Sequence, residues 1–277
     1  MTDTTAATTA AGPLHTRFVV DVRPPDRKSA SLAWGRIAER TRFQDGGADL
    51  LALLDAHPGL KAFLEGVFAN SSHLTDLAAR DVGRLARILT SDPAERIDAL
   101  VAEADGLRLD DEAELMRRLR LIKQEAALTL GLADIGGVWG TLAVTGGLTR
   151  IADAALAASC RLCLADAARR GKIELPDPAD PLIGSGWILL AMGKYGAFEL
   201  NYSSDIDLIV FFDRDAARLS DPDEAVDLYV KLTRRMVKIM QERTADGYVF
   251  RVDLRLRPDP GATPIAMSLD AAFQYYE

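Results

Sequence analysis

The chain has 277 residues, 48% hydrophobic and 27% charged, with a formal net charge of −8 and a pI near 5.1. That composition is ordinary for a globular protein, and the length suits one large domain or two smaller ones. The acidic balance argues against a nucleic-acid binder, which carries a basic footprint, and no apolar run is long enough to span a membrane.

The N-terminal stretch MTDTTAATTAAGPLHTR is small and polar. It lacks the basic start and apolar core of a signal peptide, so residues 1–28 are expected to form a disordered tail. Residues 29–175 read as a helical region. LAWGRIAERTRF, ADLLALLDAH, LKAFLEGVFANS, HLTDLAARDVGRLARILT and PAERIDALVAEAD place apolar residues three and four apart. Gly46-Gly47, Pro58-Gly59 and Ser91-Asp92-Pro93 separate them, and Pro93 behind Ser91-Asp92 suits a helix start. In DDEAELMRRLRLIKQEAALTLGLADI, Asp110 or Asp111 is placed to cap a further helix.

GGVWGTLAVTGGLTRIADAALAASCRLCLADAARRG lacks the Lys-Ser/Thr ending of a P-loop and reads as helices joined by a glycine break. Gly146-Gly147 as a phosphate cradle is the lesser alternative. Cys160 and Cys163 form a lone CxxC with no second pair, and His15, His57 and His73 are distant in sequence. Two small apolar residues on one helix face is the better reading than a redox or zinc motif. Such cysteine usage fits a reducing cytoplasm.

Beyond the Pro- and Gly-rich LPDPADPLIGSG the period changes. WILLAMG (Trp187–Gly193) and IDLIVFFD (Ile206–Asp213) read as buried strands. EAVDLYVKLTRRMVKIMQER reads as an amphipathic helix with Val226, Tyr229, Leu232, Met236, Ile239 and Met240 on one face. YVFRVDLRLRP (Tyr248–Pro258) alternates as a third strand. The fold class is therefore α+β: a helical N-terminal region, then a mixed sheet with helices over residues 176–277. SLDAAFQYYE, with Ser268 as N-cap, looks like a helix barely begun, and the sheet region is expected to be truncated at its C-terminus.

Asp205 and Asp207 open the second strand on one face, since residues i and i+2 of a strand point the same way. Two carboxylates held this close repel unless a cation lies between them, and Mg²⁺ favours carboxylates, water and substrate phosphates. On the third strand, Phe250, Val252, Leu254 and Leu256 alternate with Arg251, Asp253, Arg255 and Arg257. Asp253 could complete a three-carboxylate metal site, and Arg255 and Arg257 could grip phosphate oxygens bidentately. Gly193-Lys194-Tyr195-Gly196 ends the first strand, where glycines admit a phosphate close to the backbone, and Ser203 and Ser204 can donate to it. Singly, each element has an ordinary reading: a capped loop, a turn, a salt-bridged solvent face. Together, and in this order, they are far less readily accidental.

That order resembles the nucleotidyltransferase superfamily of the DNA polymerase β type, whose signature is a Gly-Gly or Gly-Ser turn, D-x-D and a later carboxylate. Gly193-Lys194-Tyr195-Gly196 matches the first element only in part. GKYGAFELNYSSDIDLIVFFD is similar, more closely, to the signature G-K-x-G-x-x-E-L-N-Y-x-S-D-I-D-L of the glutamine synthetase adenylyltransferase family. VDLRLRPDPGATP and LRLIKQEAALTLGLADIGG fit it too, so the resemblance runs from about Asp110 onward.

The resemblance implies metal ligands at Asp205, Asp207 and Asp253, with Mg²⁺ or Mn²⁺ as cofactor. It implies phosphate contacts at Gly193, Gly196 and Ser204, and Arg255 and Arg257 lining the site. Members carry two such domains: one puts AMP from ATP onto a tyrosine of glutamine synthetase, the other removes it with phosphate to give ADP. The position of D-x-D about two hundred residues into the chain resembles the removing copy. Glutamine synthetase is the implied protein substrate and the PII nitrogen-signal protein the implied regulator, in the cytoplasm. ATP-dependent adenylylation, a small-molecule or nucleic-acid nucleotidyltransferase, and a non-catalytic regulatory module are the alternatives. The acidic pI and the ELNYSSDID match weigh against the third of these four readings, and the intact aspartates against the last.

Overall fold

Residues 11–108, 110–216 and 218–277 are described by a computed structural model. Helices come first: α1 (Arg27–Arg40), α2 (Gly47–Ala56), α3 (Pro58–Asn70), α4 (Ser72–Arg80), α5 (Val82–Thr90), α6 (Pro93–Gly106), α7 (Glu112–Ile135) and α8 (Thr141–Arg169). Strands and helices then alternate: β1 (Ile173–Glu174), β2 (Trp187–Met192), α9 (Gly193–Gly196), β3 (Ile206–Phe212), β4 (Arg218–Leu219), α10 (Ala225–Gln241), β5 (Val252–Asp253), β6 (Met267–Ser268) and α11 (Leu269–Tyr276). The α+β class read from the sequence is the one observed.

Caps fall where short polar side chains precede apolar periodicity. Asp26 accepts from the Ser29 amide at α1, Asp81 from Arg84 at α5, and Asp92 from Ala94 and Glu95 at α6. Asp111, rather than Asp110, caps α7 through the Ala113 amide, and Ser268 caps α11 through Ala271. The α7–α8 break lies at Gly136–Gly140, and Gly146-Gly147 sits within α8, where amides are committed to the helix and form no phosphate cradle.

The chain forms two units, one of residues up to Ala99 with Gln124–Val144, the other of Leu100–Lys123 with Thr145–Glu277. The first has an all-helical core including Leu50, Leu64, Phe68, Leu85 and Leu128. Residues 11–22 belong to it, against the expectation of a disordered tail; the first ten residues of that tail lie outside the described residues. Leu14 is fully buried, its amide bonds Ser91 O at 2.9 Å, and Phe18 stacks on Phe63 at 4.0 Å. The Gly12 amide and the Arg17 guanidinium both reach Asp92. The apolar Leu14, Phe18 and Val22 bind this segment to the core despite its polar neighbours.

The second unit holds a mixed sheet of order β2-β3-β5, with β6 also pairing β3. β2 is antiparallel to β3, while β5 and β6 are parallel to it. Side chains 206, 208, 210 and 212 of β3 are buried on one face, where Phe212 stacks on Tyr229 of α10 at 4.6 Å. The opposite face carries Asp207 and then Ile209 and Phe211, which pack with Ile188, Met267 and Ala272. β1 and β4 form a separate antiparallel pair. Cys160 and Cys163 are free and buried within α8, and burial pushes the Cys163 thiol up to about 12, so they behave as small apolar residues.

The third strand is much shorter than its alternation implied. Only Val252 and Asp253 pair with β3, opposite Ile206 and Asp207. Past them the backbone turns on its own side chains: Asp253 Oδ1 takes the Arg255 amide at 2.8 Å, and the Arg257 guanidinium takes Leu254 O at 2.7 Å. Such local bonds compete with a ladder. Further along β3, the same side is paired by β6, with Met267 opposite Phe211.

Candidate active site

β3 and β5 bring the three sequence-nominated aspartates to one end of the sheet. Asp207 and Asp253 are direct partners in the parallel register, so their side chains share a face with Asp205 two residues earlier. Burial first, then the charges of Asp253 and Asp205, raise the Asp207 pKa above the usual carboxylate value. The Asp253 pKa is lowered, chiefly by its hydrogen bonds from Arg255.

The glycine turn is built against this cluster. Gly193 has φ +56°, and a Cβ there would stand 2.6 Å from Asp207 Oδ2. A Cβ on Gly196 would stand 2.3 Å from Ala191 O. Neither position admits a side chain, so the backbone of α9 lies directly beside the Asp207 carboxylate. Tyr195, between them, is buried and donates its hydroxyl to Asp153 of α8 at 2.5 Å. Lys194 is exposed, and its charge acts on Asp207 to lower the carboxyl pKa against the larger raising effects.

The nominated phosphate ligands divide. Arg255 is at the site, its Nε 2.9 Å and Nη2 2.5 Å from Asp253 Oδ2. Arg257 is not free to line it: its guanidinium donates to the carbonyls of Leu254, Pro260 and Thr263 and closes its own loop. Ser204 gives its hydroxyl to Asn201 Oδ1 at 2.8 Å, and the Ser203 amide bonds the same atom at 3.2 Å. Those two serines therefore shape the turn into β3.

Three residues at the site were not nominated. Arg251 reaches Asp205 Oδ1 at 2.5 Å and Ser203 O at 2.8 Å; its place on the polar face of the alternating segment was the available signal. Tyr195 and Lys194 lie inside the GKYG turn, but nothing in the sequence marked Asp153, 42 residues earlier, as the tyrosine's partner. Phe198 follows, exposed and at φ +60°, a backbone region costly for a residue with a Cβ.

The donor set is of the right chemistry for a hard divalent cation: carboxylates from adjacent strands beside a glycine turn. In this structure they do not converge, since among the described residues no three acidic, His or Cys groups gather closely enough to hold a metal ion. Two of the carboxylates are instead engaged by arginines, Asp205 by Arg251 and Asp253 by Arg255.

A carboxylate-bearing mixed sheet, entered through a glycine turn and backed by helices, defines an α+β domain of the nucleotidyltransferase type. Residues 62–277 match the family model described as glutamate-ammonia ligase adenylyltransferase, and the chain belongs to that family. It is 52% identical over 232 residues to a Bradyrhizobium diazoefficiens protein named bifunctional glutamine synthetase adenylyltransferase/adenylyl-removing enzyme, covering 83% of this chain and 23% of the relative. Proteins of the same name from Xanthobacter autotrophicus (49% over 231 residues; 83% and 23%) and Brucella suis (44% over 256 residues; 91% and 26%) are also similar. The chain thus spans about a quarter of the length of the curated relatives it matches.

Proposed function

We propose that this chain carries a nucleotidyl-transfer site that removes AMP from an adenylyl-tyrosine of glutamine synthetase by phosphorolysis. The register of Asp207 against Asp253 beside the Gly193 turn carries the proposal of a transfer site. Glutamine synthetase as substrate comes from the names of the relatives, and the removing direction from the resemblance in the sequence. In the reaction, an oxygen of inorganic phosphate attacks the phosphorus of tyrosyl-AMP in line. The bond from phosphorus to the tyrosine oxygen breaks, that oxygen takes a proton, and ADP forms.

Asp205, Asp207 and Asp253 would hold Mg²⁺ or Mn²⁺, which neutralises charge developing on the phosphoryl oxygens. Arg255 and Lys194 orient the two anionic reactants, which repel each other without cations. The glycine turn lets the α9 backbone approach the phosphate without a side chain in the way. By the same resemblance the PII nitrogen-signal protein is the proposed regulator; the cysteine usage supports the cytoplasm as the proposed compartment. No helix among the described residues is long and apolar enough to cross a membrane.

The test is to incubate the purified chain with adenylylated glutamine synthetase, phosphate and Mg²⁺ or Mn²⁺, and to follow ADP. Release that requires phosphate and disappears in the Asp205→Asn, Asp207→Asn double variant is the expected result. No release under these conditions, with AMP transfer from ATP onto unmodified glutamine synthetase instead, would reverse the proposed direction.

A further inference from the structure

We propose that Arg251 and Arg255 are exchangeable counter-ions, holding Asp205 and Asp253 until a divalent cation and a phosphate-type oxyanion bind together, then passing to the oxyanion. The proposal rests on the reading that the three aspartates receive a cation. It gives Arg251 and Arg255 a positioning role that couples the two ligands.

Asp205 and Asp253, flanking Asp207, are each engaged by a guanidinium. Arg251 Nε lies 2.5 Å from Asp205 Oδ1. Arg255 Nη2 lies 2.5 Å from Asp253 Oδ2, and its Nε bonds both oxygens of the same carboxylate at 2.9 and 3.0 Å. A carboxylate turned to a guanidinium is not turned to its two neighbours, so the cation donors do not converge while these pairs stand.

The pairs are built to let go. The Arg255 side chain is 83% exposed and that of Arg251 52%, and ion pairs in contact with water are weak. Arg257, three bonds deep in its own loop, shows what a fixed arginine looks like in the same segment. Guanidinium matches phosphate with the same two-pronged geometry as carboxylate, so an arriving oxyanion offers each arginine an equivalent partner within side-chain reach.

Charge then couples the two ligands. A cation entering alone would displace two guanidiniums and leave them beside a like charge. An oxyanion entering alone would face three carboxylates. Entering together, each ligand takes the partners that the other releases, so each must tighten the other by the same factor.

Calorimetric titration of Mn²⁺ into the chain, with and without saturating inorganic phosphate, tests this without glutamine synthetase or nucleotide. For the unaltered chain, phosphate is expected to tighten Mn²⁺ binding about tenfold, within the usual range of such couplings. In the Arg251→Gln, Arg255→Gln double variant, Mn²⁺ alone should bind several-fold tighter than to the unaltered chain, and the phosphate gain should vanish. Arg214→Gln, an exposed change that removes one positive charge, should keep the coupling. Near-ultraviolet circular dichroism checks that each variant is folded.

Phosphate that leaves Mn²⁺ affinity unchanged, or a double variant that binds Mn²⁺ no tighter, overturns the proposal, as does absence of Mn²⁺ binding to either protein. ADP release without coupling would remove the exchange and leave the proposed function standing. Coupling without ADP release would do the reverse.

Discussion

Tyr195 donates its hydroxyl to Asp153 Oδ1 at 2.5 Å, and this bond fastens the glycine turn at the site to the long helix α8. The ring is buried, and desolvation raises the carboxyl pKa of Asp153 despite the tyrosine, although that residue keeps contact with solvent. Tyr195→Phe keeps the ring and strips the acid of this partner. The expected cost is about 0.5–1.5 kcal/mol, read as a lower urea midpoint at unchanged m-value. Turnover should fall with it, because Gly193 and Lys194 lose their anchor.

Lys123 makes stability depend on pH near neutrality. Its nitrogen is buried with no hydrogen-bond partner and lies 4.0 Å from the ring centre of Phe250. Burial alone lowers its pKa from 10.5 to about 7. Between those values the unfolded chain holds the proton and the folded chain does not, so stability rises with pH, by at most about 1.4 kcal/mol per unit. Below pH 7 both states are charged and the slope ends. Above the ordinary cysteine value of 9.0, Cys163, whose pKa burial raises, imposes a slope of the opposite sign. Urea midpoints between about pH 7 and 8.5 should therefore climb for the unaltered chain and flatten for Lys123→Met.

Arg120 is fully buried and, among the described residues, gives its hydrogen bonds to the carbonyls of Met116, Ile239, Glu242 and Gly247. It closes the C-terminal end of α10 and the turn that leads into β5. Arg120→Met should cost about 3 kcal/mol or more, since several buried acceptors lose their donor at once. Arg120→Lys should recover only part of it, because one ammonium cannot reach every carbonyl. Thermal unfolding of the two variants side by side checks the order.

Gly193→Ala places a methyl group 2.6 Å from Asp207 Oδ2 at a backbone angle of +56°. The backbone alone should cost about 1–2 kcal/mol. The carboxylate must also move, so the proposed phosphorolysis should fall much further than stability does. An alanine variant with full turnover would separate the turn from the reaction.

The helices, their caps and the two long strands were legible because each follows from periodicity and a local polar signal. The placing of Asp205 and Asp207 at the start of β3 was legible for the same reason, Asp205 just before the strand and Asp207 within it. What stayed hidden depended on distant partners. Leu14 and Phe18 look like part of a polar tail until the helical core they enter is known. Arg257 has the residue type and the face of a phosphate ligand, yet three nearby carbonyls claim it. Alternation over Tyr248–Pro258 described the side chains but not the backbone, which leaves the sheet after Asp253 as β3's next partners come from β6.

The β3–β5 ladder is only two residues long on the β5 side, and Asp205 is 46 positions from its arginine. Neither of these two pairings is local in sequence. This corner of the molecule exists only once α10 has docked and returned the chain, which places its formation late and its opening early. In hydrogen exchange, the amide of Ile206, bonded to Arg251 O, should lose protection long before those in the middle of β3. The corner that holds the aspartates would thus act as a hinge, able to part and re-form while the middle of the sheet stays closed.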